Sequence, residues 1–199
     1  MSDYVQINTL ATFFAAALLN NVVLVQSLGV SALFAFSNTR QQARELALLS
    51  FVLMSVSGSL NALLDATLLT PLGLTGIRLI VFTTVSASLA ALACWQIGKH
   101  FPKSYRRNRF AILLAGANSA ILGLALLNDP AGSVSLAQST LLILGGAAGF
   151  SVLLLAFAAL RERIPEQSVP LPFRGTAIQL ISAGLVAMSL LVLGGVLGR

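Results

Sequence analysis

Charge is what this chain has least of. Asp, Glu, Lys and Arg make up 9% of its 199 residues, against 57% hydrophobic, where a soluble domain is about one-quarter charged. That deficit excludes a water-soluble globule, because there is too little polar side chain to cover one. A mean hydropathy of +0.91 agrees, so lipid is the expected solvent. Cysteine is almost missing. The single thiol, Cys94, can form neither an internal disulfide nor a multi-cysteine metal site, and it reads as a small apolar filler. The single histidine, His100, stands in a basic stretch and reads as solvated rather than as a ligand. No positive residue precedes the first apolar run in Met1-Ser2-Asp3-Tyr4, so no cleavable signal peptide is expected.

What is present is a series of long apolar runs. The length allows about six spans at roughly 20 residues each, with short loops and no soluble domain. We place them near 5–36, 46–64, 75–98, 110–127, 136–160 and 175–197. The breaks carry turn chemistry: Ser37-Asn38-Thr39-Arg40, Thr70-Pro71-Leu72-Gly73, the basic loop from Lys99 to Arg109, Asn128-Asp129-Pro130, and Val169-Pro170-Leu171-Pro172. Ten of the twelve cations fall on one side: Arg40, Arg44, Lys99, Lys103, Arg106, Arg107, Arg109, Arg161, Arg163 and Arg174. Arg78 and Arg199 fall on the other. The positive-inside rule puts the ten in the cytoplasm and both termini in the periplasm. Loop placement explains the net charge of +6, and nucleic-acid binding is not expected.

The first run is too long for one straight crossing. Residues 5–36 as a helix would extend about 48 Å, against a hydrocarbon core of about 30 Å. It also carries Asn20, Asn21, Gln26, Gly29 and Ser31, polar and small residues that suit a broken helix whose freed backbone groups need partners. The fourth run echoes it: Gly29-Val30-Ser31-Ala32-Leu33 compares with Ala117-Asn118-Ser119-Ala120-Ile121. Three spans per half make any such repeat an inverted one, and inverted repeats place a site near the midplane at their broken helices. The expected fold is therefore all-α: one polytopic domain over 1–199, halves at about 1–98 and 110–199, with first and fourth helices broken.

Several stretches together resemble a known family. They are LLNNVVLVQSLGV at 18–30, Asn118-Ser119-Ala120-Ile121-Leu122-Gly123, GFSVLLLAFAALRER at 149–163 and VPLPFRGTAIQLISAGL at 169–185. The chain is similar over almost its whole length to the A-type subunits of Rnf electron-transport complexes and to their homologues in sodium-translocating NADH:quinone reductase. The resemblance implies six spans in an inverted repeat, pairing with a homologous membrane subunit of opposite topology, and assembly with the other subunits of an Rnf-type complex in the bacterial inner membrane. It implies electron transfer coupled to ion transport. It also implies an iron–sulfur cluster held within the membrane by two cysteines from each of the paired subunits.

This chain departs from that pattern at the ligands. Where the family has LG-x-CP it has Leu28-Gly29-Val30-Ser31-Ala32, and where the family has T-x-N-C-A it has Gly116-Ala117-Asn118-Ser119-Ala120. Thiolates are the usual cluster ligands, and serine hydroxyls are poor substitutes, so no cofactor is expected in this chain. Gly29, Ser31, Asn118 and Ser119 remain the candidate cofactor-site positions. Ser31 and Ser119 also have a plain reading as small residues that let helices approach, and Asn20, Asn21 and Asn118 one as partners for freed backbone.

Elsewhere, Gly145-Gly146-Ala147-Ala148-Gly149 reads as a packing face. Asp65 and Arg78 flank an outer loop, where they either pair or mark the interface. Arg161-Glu162-Arg163 is either an interfacial cluster that sets orientation or a docking point. No ionisable residue is expected in mid-span. That argues against an autonomous proton pump and leaves open a sodium path lined by amides, hydroxyls and carbonyls. Three functions follow in order: a subunit of an ion-translocating oxidoreductase complex, a structural subunit that has lost its redox centre, or a small inverted-repeat transporter.

Overall fold

The computed structural model describes residues 39–100, 119–127, 136–165 and 169–197, together with Phe13, Ala16, Ala17, Phe34, Arg106 and Gln167. Among them there is no strand. Five α-helices follow in order: α1 Arg40–Leu64, α2 Arg78–His100, α3 Ser119–Leu127, α4 Leu136–Arg163 and α5 Thr176–Leu197. Most of the expected first span, with its break, and the start of the fourth lie outside the described residues.

Among the described residues three helices are long and apolar enough to cross a membrane: Arg40–Leu69 with 30 residues, Thr75–His100 with 26 and Leu136–Arg163 with 28. α5 adds a shorter apolar stretch, Thr176–Ser189. Each end has a local cause. Thr39 is extended (φ −139°) and its Oγ1 accepts from the Gln42 amide at 3.2 Å, capping α1. At its far end α1 does not stop at Leu64. It continues as a π turn over Asp65–Leu69, with the Thr70 amide on the Asp65 carbonyl at 2.9 Å. Pro71 cannot extend the helix, and Gly73 takes φ +68°, a left-handed conformation that suits glycine. Gly175, at φ +73°, makes the corresponding turn into α5.

α1 is the centre of the bundle and packs along α4, α3 and α2. Its inner face holds Leu46, Leu53 and Met54, joined by Ile143, Phe150 and Leu154 of α4. Its outer face exposes Leu48, Val52, Val56 and Leu63. Apolar side chains outside and serines inside are the pattern of a helix that meets lipid. The Ser151 hydroxyl lies 3.0 Å from the carbonyls of both Ala47 and Ala147, tying α4 to α1.

The glycine-rich run of α4 is a packing face. A Cβ on Gly145 would meet the Phe13 carbonyl at 2.6 Å, one on Gly149 would overlap the Ala17 carbonyl, and one on Gly146 would overlap Leu124 of α3. Four-residue spacing of small residues is how membrane helices bring their backbones together. Gly149→Leu is therefore expected to cost roughly 1–3 kcal/mol or more through overpacking and to lower the unfolding temperature of the detergent-solubilised chain by several degrees. Gly184→Leu, whose Cβ would meet nothing within 4 Å, is the matched control and should be near neutral.

Several charged residues gather at one end of the helices. The Arg40 guanidinium pairs with Glu162, and the Arg40 amide donates to the same carboxylate at 3.2 Å. Arg161 donates to the Phe34 carbonyl at 3.2 Å, and the Phe34 and Phe157 rings meet at 5.6 Å. Since α2 runs antiparallel to α1, Lys99 joins this end, its ammonium 5.4 Å from the Trp95 ring centre. An exposed Trp–Lys pair at a helix end is suited to the membrane–water interface.

Candidate functional site

Of the four positions singled out for a cofactor, Gly29, Ser31 and Asn118 lie outside the described residues. Ser119, the first described residue of α3, is exposed, while Ala120 and Ile121 immediately after it are buried in the core. The donor chemistry can still be tested. A cluster shared with a partner needs soft, readily deprotonated ligands, whereas Ser31 and Ser119 offer hydroxyls, Asn118 an amide and Gly29 no side chain. Cys94, the only cysteine in the chain, is half-buried in α2 beside Trp95, near the charged end. Among the described residues no three His, Cys, Asp or Glu side chains gather to hold a metal. The residues present do not fit an iron–sulfur cluster of that kind.

The structure brings together a different set of polar groups. Asp65, expected beside a loop, lies within the continuous helix Arg40–Leu69 and is completely buried. The correction has a local cause: the π turn carries the helix on past the point where the apolar run stops. Arg78, the first residue of α2, donates from Nε to Asp65 Oδ1 at 2.9 Å, with its own side chain 20% exposed. The pairing left open by the sequence is thus made, but inside the bundle.

One turn inward, Asn61 is also fully buried, and its amide nitrogen lies 3.3 Å from the Ser86 hydroxyl of α2. Ser86 meets Ser57 oxygen to oxygen at 2.7 Å. Ser50 continues the same face of α1 at 2% exposure. The spacings of seven, four and four residues from Ser50 to Asp65 put all four on one side of the helix. The line they form is about 22 Å long at 1.5 Å per residue. It faces the stripe Phe82, Ser86 and Ala90 of α2.

This polar seam is not fully satisfied. Asn61 Oδ1, Asp65 Oδ2 and the Ser50 hydroxyl are buried without a hydrogen-bond partner, as is the Ser55 hydroxyl. All four atoms are oxygens and all belong to Arg40–Leu69. Buried polar atoms are nearly always paired, and in hydrocarbon an orphan costs several kcal/mol. Sequence reading missed the seam because isolated serines in an apolar helix look like packing residues. The available signal was their shared phase with Asn61 and Asp65.

Comparison with known proteins agrees with the membrane architecture. Residues 9–197 match the family described as Rnf-Nqr subunit, membrane protein. The chain is 35% identical over 195 residues to the A component of the ion-translocating oxidoreductase complex of Escherichia fergusonii, covering 98% of each chain. Its counterparts in Escherichia coli K12 and Citrobacter koseri are 35% identical over the same length and coverage. A family match across nearly the whole chain, with full-length relatives at that identity, places this protein in the Rnf-Nqr family of membrane subunits.

Proposed function

We propose that this chain is the A-type membrane subunit of an ion-translocating oxidoreductase complex in a bacterial cytoplasmic membrane. The observation that carries the reading is the end-to-end 35% identity to A components of that complex. In this reading the chain is not catalytic alone. It works beside other subunits of the complex, including a homologous membrane subunit of opposite topology, in coupling electron transfer to ion movement. Six spans in an inverted repeat, with broken first and fourth helices, complete the architecture.

The first test is purification of the full chain from its native membrane under mild detergent. The expected result is a stable assembly with other complex subunits, and redox-driven ion uptake by membrane vesicles that is lost when the gene is deleted. A chain that purifies alone from a strain showing no such activity overturns the reading.

The second reading, a scaffold subunit without a redox centre, is favoured by one observation: serine at both expected ligand positions, Ser31 and Ser119. Redox-driven transport that survives loss of electron flow through this subunit would select it.

Topology has its own test. Arg40, Lys99 and Arg161 gather at one end of the helices and Arg78 lies at the other, which supports a cytoplasmic charged end and periplasmic termini. Alkaline phosphatase fused after Arg199 is expected to be active. An inactive fusion, with an active cytoplasmic reporter at the same position, would reverse the orientation.

A further inference from the structure

We propose that the α1–α2 seam is a binding site for a small, hard monovalent cation of the sodium class, held by Asp65 Oδ2 and Asn61 Oδ1, with Arg78 as the tethered cation it competes against. The proposal deepens the functional reading above and rests on it for the ion's purpose, but its geometry stands independently.

Three observations converge. First, the two orphan oxygens, on fully buried residues, lie four residues apart on one helix face, so they are neighbours. The Ser86 and Ser57 hydroxyls adjoin Asn61 on the other side. Second, the unpaired acceptors and the hydroxyls beside them are oxygens, which suits hard cations over soft ones. Third, Asp65 begins a π turn, a rare backbone feature that is frequent at functional sites.

Charge then selects the ion. Asp65 and Arg78 together are neutral, so a bound monovalent ion adds one positive charge to a site inside the bundle. A divalent ion would add two and would give up far more hydration. Arg78 uses only Oδ1, which leaves Oδ2 for the incoming ion. The two cations share one carboxylate, so each weakens the hold of the other.

That competition is what separates the site from a buried water, the plain way to satisfy two orphan acceptors. A water would be indifferent to the identity of the salt and would gain nothing from removal of the Arg78 charge. A cation would bind more tightly to the Arg78→Gln variant and would stabilise it in place of the lost guanidinium.

The test uses the native assembly, with wild-type or variant chain, in sodium, lithium, potassium or choline chloride at constant ionic strength. Two quantities are measured: binding of radioactive sodium, and the unfolding temperature of this chain against sodium concentration. The wild type is expected to bind sodium saturably. Asn61→Leu, close in volume and apolar, should weaken that binding about tenfold or more while leaving the chain folded in choline. Arg78→Gln should tighten it about tenfold or more and make the unfolding temperature sodium-dependent, as ligand linkage requires. Unfolding temperatures identical in all four salts, for wild type and for Arg78→Gln, would mean a buried water only and would overturn the site. So would sodium binding that neither substitution changes. Co-purification of the other subunits is scored in the same samples. A complete assembly with no sodium response condemns the site alone. A chain without partners condemns the functional reading, and the same salt series on that full chain still decides the site.

Discussion

Asp65→Ala is expected to remove most of the folded protein from the membrane, and Asp65→Leu combined with Arg78→Leu to restore most of it. Asp65 is completely buried and its carboxylate accepts from the Arg78 guanidinium. Removing one partner of a buried pair strands the other charge, which costs about 3–5 kcal/mol. Arg78 is 20% exposed near the outer end of α2, so part of its charge can reach the interface, and the lower end of that range applies. Against a total stability of roughly 5–15 kcal/mol, this is a loss that membrane quality control would register. The double replacement removes both charges and leaves leucines beside Phe82 and Leu69, both buried. Replacing a buried pair by apolar side chains is often neutral or stabilising.

The measurement is the amount of detergent-stable chain, by fluorescence-detected size-exclusion, for Asp65→Ala, Asp65→Leu, Arg78→Leu and the double leucine variant. A double variant no better than the worse single would mean that the pair is needed for more than its own neutralisation. The double variant is also a functional probe. It is expected to fold yet bind no sodium at Asn61, because the carboxylate is gone.

The pair also shows where the sequence is legible. The ends of α4 and α5 follow the local chemistry closely. Span five, expected at 136–160, is Leu136–Arg163, and span six, expected at 175–197, is Thr176–Leu197. Proline, glycine and arginine punctuate those runs, and their physical meaning is local. Span two, expected at 46–64, is a continuous helix Arg40–Leu69. The extension at the start comes from the Thr39 cap and the Arg40–Glu162 pair. The extension at the end comes from the π turn that accommodates Asp65. A cap three residues away can be read in a sequence. An ion pair to a residue 122 positions distant cannot.

The same distinction runs through the site. That Ser57 and Asn61 share a face is arithmetic on one helix. That Ser86 closes on both requires the α1–α2 crossing, which no local pattern supplies. The expectation that Ser31 and Ser119 stand at ligand positions has another source. Nothing in the physics of an apolar run suggests it, and it rests on the resemblance to the family's motifs alone. The fold is thus legible where local chemistry punctuates it, and the seam where periodicity meets a tertiary contact.

The remaining large effect concerns those serines. The assembly built on this chain is expected to contain no intramembrane iron–sulfur cluster ligated by it. A double return to cysteine, Ser31→Cys with Ser119→Cys, is expected to raise cluster-bound iron from background to near stoichiometric when a cysteine-bearing partner is present. A serine hydroxyl remains protonated near neutral pH, and burial in a membrane disfavours its alkoxide further. A cysteine thiolate is both accessible and soft, which is why it dominates such ligation. Cys94 cannot stand in, because it is single and lies in α2 near the charged end, beside Trp95. Ser119 is exposed, and an exposed side chain can face a neighbouring protein. The measurement is iron and acid-labile sulfide, with electron paramagnetic resonance, on the native assembly and on the double-cysteine variant. A stoichiometric cluster in the unaltered assembly, assigned to the membrane interface of this chain, would refute the expectation. It would mean that oxygen ligands suffice or that the partner supplies every thiolate. Its absence, together with sustained redox-driven ion transport, would mean that electrons cross by another route, and would favour the scaffold reading for this chain.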